Sequence, residues 1–163
     1  MHVVKSAAQL PKAAAYREVQ QQLAALFAGE RNALANAANM SALLYEALPN
    51  LNWAGFYFLR GDELVLGPFQ GKPACVRIAV GRGVCGAAVV ERRTLRIADV
   101  HAFPDHIACD SASRSELVVP LVQDGVVIGV LDIDSPIPSR FDAIDQAGLE
   151  RLAAIFVAGS NSP

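Results

Sequence analysis

No stretch of this sequence approaches the roughly 20 consecutive apolar residues needed to cross a bilayer. The opening Met1-His2-Val3-Val4-Lys5-Ser6 also lacks the basic region and long apolar run of a secretory signal. Charge is sparse, at 18% of residues, and nearly balanced, with 14 basic against 16 acidic side chains and a formal net charge of -2. No run of Lys or Arg forms a stripe, so the electrostatic footprint of a nucleic-acid binder is missing. There are only three cysteines, Cys75, Cys85 and Cys109, and neither a CxxC nor an HxxxH pair. Structural zinc sites use such tight spacings, so no metal is expected, and no cofactor either. An odd number of cysteines would leave one over in a purely structural disulfide set. The expected location is cytoplasmic, where thiols stay reduced and cysteines are more often catalytic than structural.

What is present is a compact globule. Apolar residues make up 53% of the 163, enough for one domain with a sizeable core. A single domain over 1–163 is expected, with 1–15 as an N-terminal extension. Tyr16, Val19, Leu23, Leu26 and Phe27 recur at helical spacing, as do Leu34, Ala37, Ala38, Ser41, Leu44, Tyr45 and Leu48 before Pro49-Asn50. The period then changes. The apolar runs Trp53 to Leu59 and Leu64 to Phe69, joined by a turn at Arg60-Gly61-Asp62-Glu63, predict a hairpin buried on both faces. Val76 to Val80 and Leu95 to Ala98 are short strands flanking a helix from Val84 to Glu91. Gly81-x-Gly83-x-x-Gly86 precedes that helix without the βαβ context of a nucleotide site. Residues 99–115 form a long loop with little periodicity, a frequent carrier of function. Two strong strands follow, Glu116 to Val122 and Val126 to Asp134, and then a helix from about Asp142. Its side with Ile144, Leu149, Leu152, Ile155 and Phe156 is apolar. The order predicts an α+β fold with an antiparallel sheet and helices packed against it.

Chemistry-bearing residues concentrate in the second half. Asp132 and Asp134 are two apart on one strand and share a face. A two-residue loop at Asp124-Gly125 would set Glu116 opposite Ile133. A three-residue loop pairs Val122 with Val126 and sets Glu116 opposite Asp132, gathering three carboxylates. Such carboxylates cannot all ionise cheaply, so one should keep a proton near neutral pH and serve as a general acid. The blander alternative is a solvated strand end before Ser135-Pro136. Cys109 lies in the long loop among His101, Asp105, His106 and Asp110, where an imidazolium would activate a thiol; the alternative is an inert loop cysteine. Cys85 begins a helix whose positive end favours a thiolate, or it is a small packed core residue. Cys75 follows Gly71-Lys72-Pro73-Ala74 in an exposed loop suited to meeting another protein. Trp53 and Tyr57 are four apart on one strand face, as core packing or as the apolar wall of a ligand site.

The strings GKPAC, VRIAVGRGVCG, RIADVHAFPDHIACD, SELVVPL, GVLDIDSP and RFDAIDQAGLERLAAIF closely resemble the free methionine-(R)-sulfoxide reductases, an enzymatic branch of the GAF fold. The resemblance runs from about Tyr16 to Phe156. It implies that Cys109 attacks the sulfoxide sulfur and becomes a sulfenic acid. Cys75 is implied as the main resolving cysteine and Cys85 as an alternative, with thioredoxin reopening the disulfide. Glu116, Asp132 and Asp134 would bind the substrate ammonium and sulfoxide oxygen, with Trp53 and Tyr57 facing its methyl end. GAF domains often pair through outer helices, so the resemblance admits a homodimer. Two other readings compete: a regulatory ligand-binding GAF module, disfavoured because the chain is short and carries no output domain, and a thiol redox sensor without turnover.

Overall fold

A computed structural model describes residues 3–4, 9–104 and 111–163. Six strands form one antiparallel sheet: β1 (Trp53–Arg60), β2 (Glu63–Gly71), β3 (Arg77–Ala79), β4 (Leu95–Ile97), β5 (Ser115–Gln123) and β6 (Val126–Ser135), in the order β3-β2-β1-β6-β5-β4. Four helices accompany it: α1 (Lys12–Leu26), α2 (Ala33–Ala47), α3 (Gly83–Glu91) and α4 (Ala143–Gly159). A 3-10 turn, Val100–Ala102, opens the long loop after β4. None of the described helices is long and apolar enough to cross a membrane. The expected α+β architecture is therefore found. α1 starts at Lys12, inside the stretch expected to be an extension.

The sheet has two unlike faces because side chains alternate along each strand. Ala54, Phe56 and Phe58 of β1 join Leu117, Val119 and Leu121 of β5 and Leu131 and Ile133 of β6 in the larger core, beneath α1, α2 and α4. Trp53 and Tyr57 of β1, Val118 of β5 and Val130 of β6 belong to a second cluster, together with Val84, Cys85, Ala88 and Val89 of α3. β1 is buried on both faces as expected, whereas β2 is mostly half-buried because it lies nearer the sheet edge.

Local signals explain the helix ends. Asn32 caps α2 through Oδ1, which accepts from the Ala35 amide at 3.0 Å. Asp142 caps α4, and Asp145 returns the bond to the Asp142 amide, a reciprocal capping box. Asp145 is fully buried and also accepts from Lys12, from Tyr16 Oη at 2.9 Å and from Arg140 Nη1 at 3.0 Å, which ties α1 to α4. Four residues of the expected apolar stripes are instead exposed: Ala38, Leu34 at 65%, Tyr45 at 39% and Ile144 at 48%. Each lies at the margin of its helix's apolar stripe. The inward positions are filled by Ala33, Met40 and Leu43 in α2 and by Leu149, Leu152 and Phe156 in α4.

Candidate active site

The β5–β6 hairpin places the acids by a route other than the expected one. Its loop is the two-residue Asp124-Gly125, with positive φ of 50° and 78° and Gln123 paired with Val126. The register then shifts between Leu121 and Val122: Val122 faces Val127, Leu121 faces Gly129, and Ile128 is the extra residue of a bulge. Glu116 consequently pairs with Asp134, and Val118 with Asp132. The expected pairing of Glu116 with Asp132 is off by two residues. An even slip preserves the face, so the three carboxylates still share one side of the sheet.

β1 brings the aromatics to the same side. Trp53 pairs with Asp134, and Gly55 with Asp132. Trp53 stacks on Tyr57 at 5.9 Å between ring centroids and on Phe69 at 5.2 Å. Gly55 permits this packing, since a Cβ there would lie 2.4 Å from Phe69 Cβ and 2.7 Å from Trp53 Cη2. Tyr57 Oη donates to the Cys75 carbonyl at 3.0 Å, fastening the Cys75 loop to the sheet. Cys75 itself is half-buried rather than exposed and is disulfide-bonded.

α3 roofs this face. Gly81 and Gly83 turn the chain with φ of 86° and 58°. Gly86 packs where a Cβ would meet the Ala79 carbonyl oxygen at 2.6 Å. The glycine pattern therefore serves a tight approach of helix to strand end. The approach sets Cys85 Sγ 3.9 Å from Glu116 Oε1. Sequence reasoning missed this meeting of Cys85 with the acids; the only local hint was the run of glycines that lets α3 settle so closely. Of the two readings of Cys85, a thiolate at a helix start or a small packed core residue, the burial of its side chain at 4% exposure fits the second. Burial, then the charges of Asp132, Glu116 and Asp134, push the Cys85 thiol up and hold it neutral. The helix dipole, worth about 1 kcal/mol, is outweighed by desolvation and three carboxylates.

These side chains line a narrow recess of about 540 Å³, mouth included, whose walls are Trp53, Tyr57, Ile78, Cys85, Glu116, Asp132 and Asp134, with Pro73, Arg82 and Ser113 around them. Ser113, another residue the sequence did not single out, is held by Asn52 Nδ2 at 2.9 Å. Burial raises Asp132 to about 7. Glu116 is also raised, by burial first and then by Asp132 and Asp134. Two buried polar atoms in this wall, Trp53 Nε1 and Asp132 Oδ1, have no hydrogen-bond partner among the described residues. Such atoms are costly unless a ligand meets them. The recess thus offers an apolar aromatic side, an orphan donor, an orphan acceptor and a carboxyl that holds a proton near neutral pH. Cys109, with Asp105, His106 and Asp110, lies outside the described residues. His101 is exposed, its amide donating to Asp99 Oδ1 at 3.1 Å.

The six-stranded antiparallel sheet with helices packed against it is the architecture of a GAF domain, whose sequence pattern matches residues 11–158. The chain is 59% identical over 139 residues to the free methionine-R-sulfoxide reductase of Escherichia coli, covering 85% of this chain and 84% of that one. It is 44% identical over 135 residues to the protein of the same name in Saccharomyces cerevisiae, covering 78% and 75%. Among solved structures, the free methionine-R-sulfoxide reductase of Neisseria meningitidis in complex with its substrate superposes with a TM-score of 0.92 at 50% identity, covering 98% of this chain and 95% of that one. Within the GAF fold, this chain belongs to the free methionine-R-sulfoxide reductase family of oxidoreductases.

Proposed function

We propose that the protein reduces free L-methionine-(R)-sulfoxide to L-methionine by thiol chemistry in this recess. The supporting observation is the buried set of Glu116, Asp132 and Asp134 beside the stacked Trp53 and Tyr57. The substrate's methyl end lies against the two rings. Its ammonium is held by ionised carboxylate, and a peptide-bound methionine sulfoxide, which lacks that ammonium, is rejected. The Cys109 thiolate attacks the sulfoxide sulfur while a protonated carboxyl of the Glu116–Asp132 pair delivers its proton to the oxygen. The S–O bond passes to Cys109, which becomes a sulfenic acid, and methionine leaves. The Cys75 thiol displaces that oxygen as water and forms a disulfide. A thioredoxin-type dithiol of the cytoplasm reduces the bridge and is itself oxidised. Cys75 is favoured over Cys85 as the resolving thiol because it is already a disulfide partner, whereas Cys85 is a free, buried, neutral thiol.

The test is turnover of the free sulfoxide with dithiothreitol or thioredoxin. Wild type should release methionine, and Cys109→Ser should release none. A folded wild type with no turnover would overturn the reading.

A further inference from the structure

The recess gathers carboxyl and thiol groups from three elements of the fold. Cys85 Sγ, a Glu116 oxygen and an Asp132 oxygen all lie within 4.8 Å of one another, and all three residues are buried. Asp134 adds a third carboxylate to the lining. Among the described residues that line the recess, Arg82 is the one cation, and it is exposed. Asp132 is 6% exposed, yet among the described residues its Oδ1 has no hydrogen-bond partner. It is an acceptor awaiting an occupant.

Tetrahedral zinc needs about 2.3 Å to sulfur and about 2.1 Å to oxygen. This corresponds to ligand separations of about 3.6 Å between S and O and about 3.4 Å between the oxygens. The Cys85–Glu116 separation of 3.9 Å already approaches that, and the remaining pairs, within 4.8 Å, close to it by small side-chain rotations. The three ligands come from α3, β5 and β6, so spacing rules based on neighbouring cysteines and histidines do not detect them.

We propose that Cys85, Glu116 and Asp132 form a binding site for one thiophilic divalent cation of the zinc class. The cation occupies the floor of the recess and excludes the substrate. Binding forms an S–metal bond and two O–metal bonds, releases to water the thiol proton and the proton held by the Glu116–Asp132 pair, and changes no oxidation state. Thiolate selects zinc or cadmium over magnesium and calcium, which prefer all-oxygen shells. Three protein ligands leave the fourth position open. The exclusion of substrate rests on the function proposed above; the binding does not.

The experiment uses the full chain carrying Cys75→Ser and Cys109→Ser, which leaves Cys85 as its sole thiol. Titration with cadmium should give a cadmium–thiolate charge-transfer band that saturates at one equivalent. Adding Cys85→Ser should abolish the band. Adding Glu116→Gln or Asp132→Asn should weaken binding at least tenfold, while Glu63→Gln, on the outer hairpin, should not change it. Far-ultraviolet circular dichroism checks that each variant is folded. Absence of the band, or a band unaffected by loss of both acids, would overturn the site. If cadmium binds but zinc fails to compete with free methionine in this same chain, the exclusion of substrate is wrong. If the wild type proves inactive on the sulfoxide, only the function proposed above fails.

Discussion

Asp132 should be held at a cost to stability, and replacing it with asparagine isolates that cost. Its carboxyl is buried and raised from 3.8 to about 7. An acid with a raised folded value binds its proton more tightly when folded, so stability falls as pH climbs from about 4 to about 7. Integrating the linkage relation between those two values gives a loss of about 1.7 kcal/mol at pH 5 and about 4 kcal/mol at pH 8. Local relaxation and the shared proton with Glu116 reduce these figures. Asp132→Asn keeps the shape and removes the ionisation. Relative to wild type, the variant should therefore gain about 1–3 kcal/mol between pH 5 and pH 8. The assay is urea unfolding of both proteins across that range, with a chelator present. Turnover of the free sulfoxide should fall over the same substitution. A wild-type-to-variant difference that is flat with pH, or that favours wild type at pH 8, would refute the placement of this acid in a dry environment.

Cys75→Ser should complete one turnover and then fail to recycle with thioredoxin, which a stoichiometric burst of methionine would show. Gly55→Ala forces a methyl into Phe69 and Trp53. The substitution should cost about 1–3 kcal/mol and reduce sulfoxide turnover more than a change of equal energetic cost on the outer helices, measured by unfolding and steady-state rate together. Tyr57→Phe removes the bond to the Cys75 carbonyl. Stability should drop by about 1 kcal/mol, with the thioredoxin-dependent rate falling further than the single-turnover rate in rapid-quench measurements. Asp145→Ala strands Arg140, whose side chain is 9% exposed, and should destabilise the domain by about 3–5 kcal/mol; an unfolding midpoint near that of wild type would contradict this.

The hairpins, the α3 start, the capped α4 and the shared face of Glu116, Asp132 and Asp134 were legible because they follow from short-range periodicity. The register was not. The expected pairing rests on a three-residue loop followed by regular strands, whereas the loop has two residues and no local signal marks Ile128 as an extra residue further along. Leu34, Tyr45 and Ile144 looked like core because helical spacing defines a stripe without its margins. The sequence leaves Cys85 between a helix-start thiolate and a packed core residue, because its environment comes from the packing of α3 onto distant strands, where burial and carboxylates outweigh the helix dipole. The Asp145 network and the Tyr57 bond to Cys75 also depend on residues brought together only by the fold.

Trp53 is the only tryptophan in the chain, and it stacks on Tyr57 and Phe69 while lining the recess. Intrinsic fluorescence at indole wavelengths therefore originates entirely from the ligand chamber. Arrival of an amino acid or a heavy cation should alter the colour or intensity of that emission, so the unlabelled protein carries its own optical gauge of occupancy.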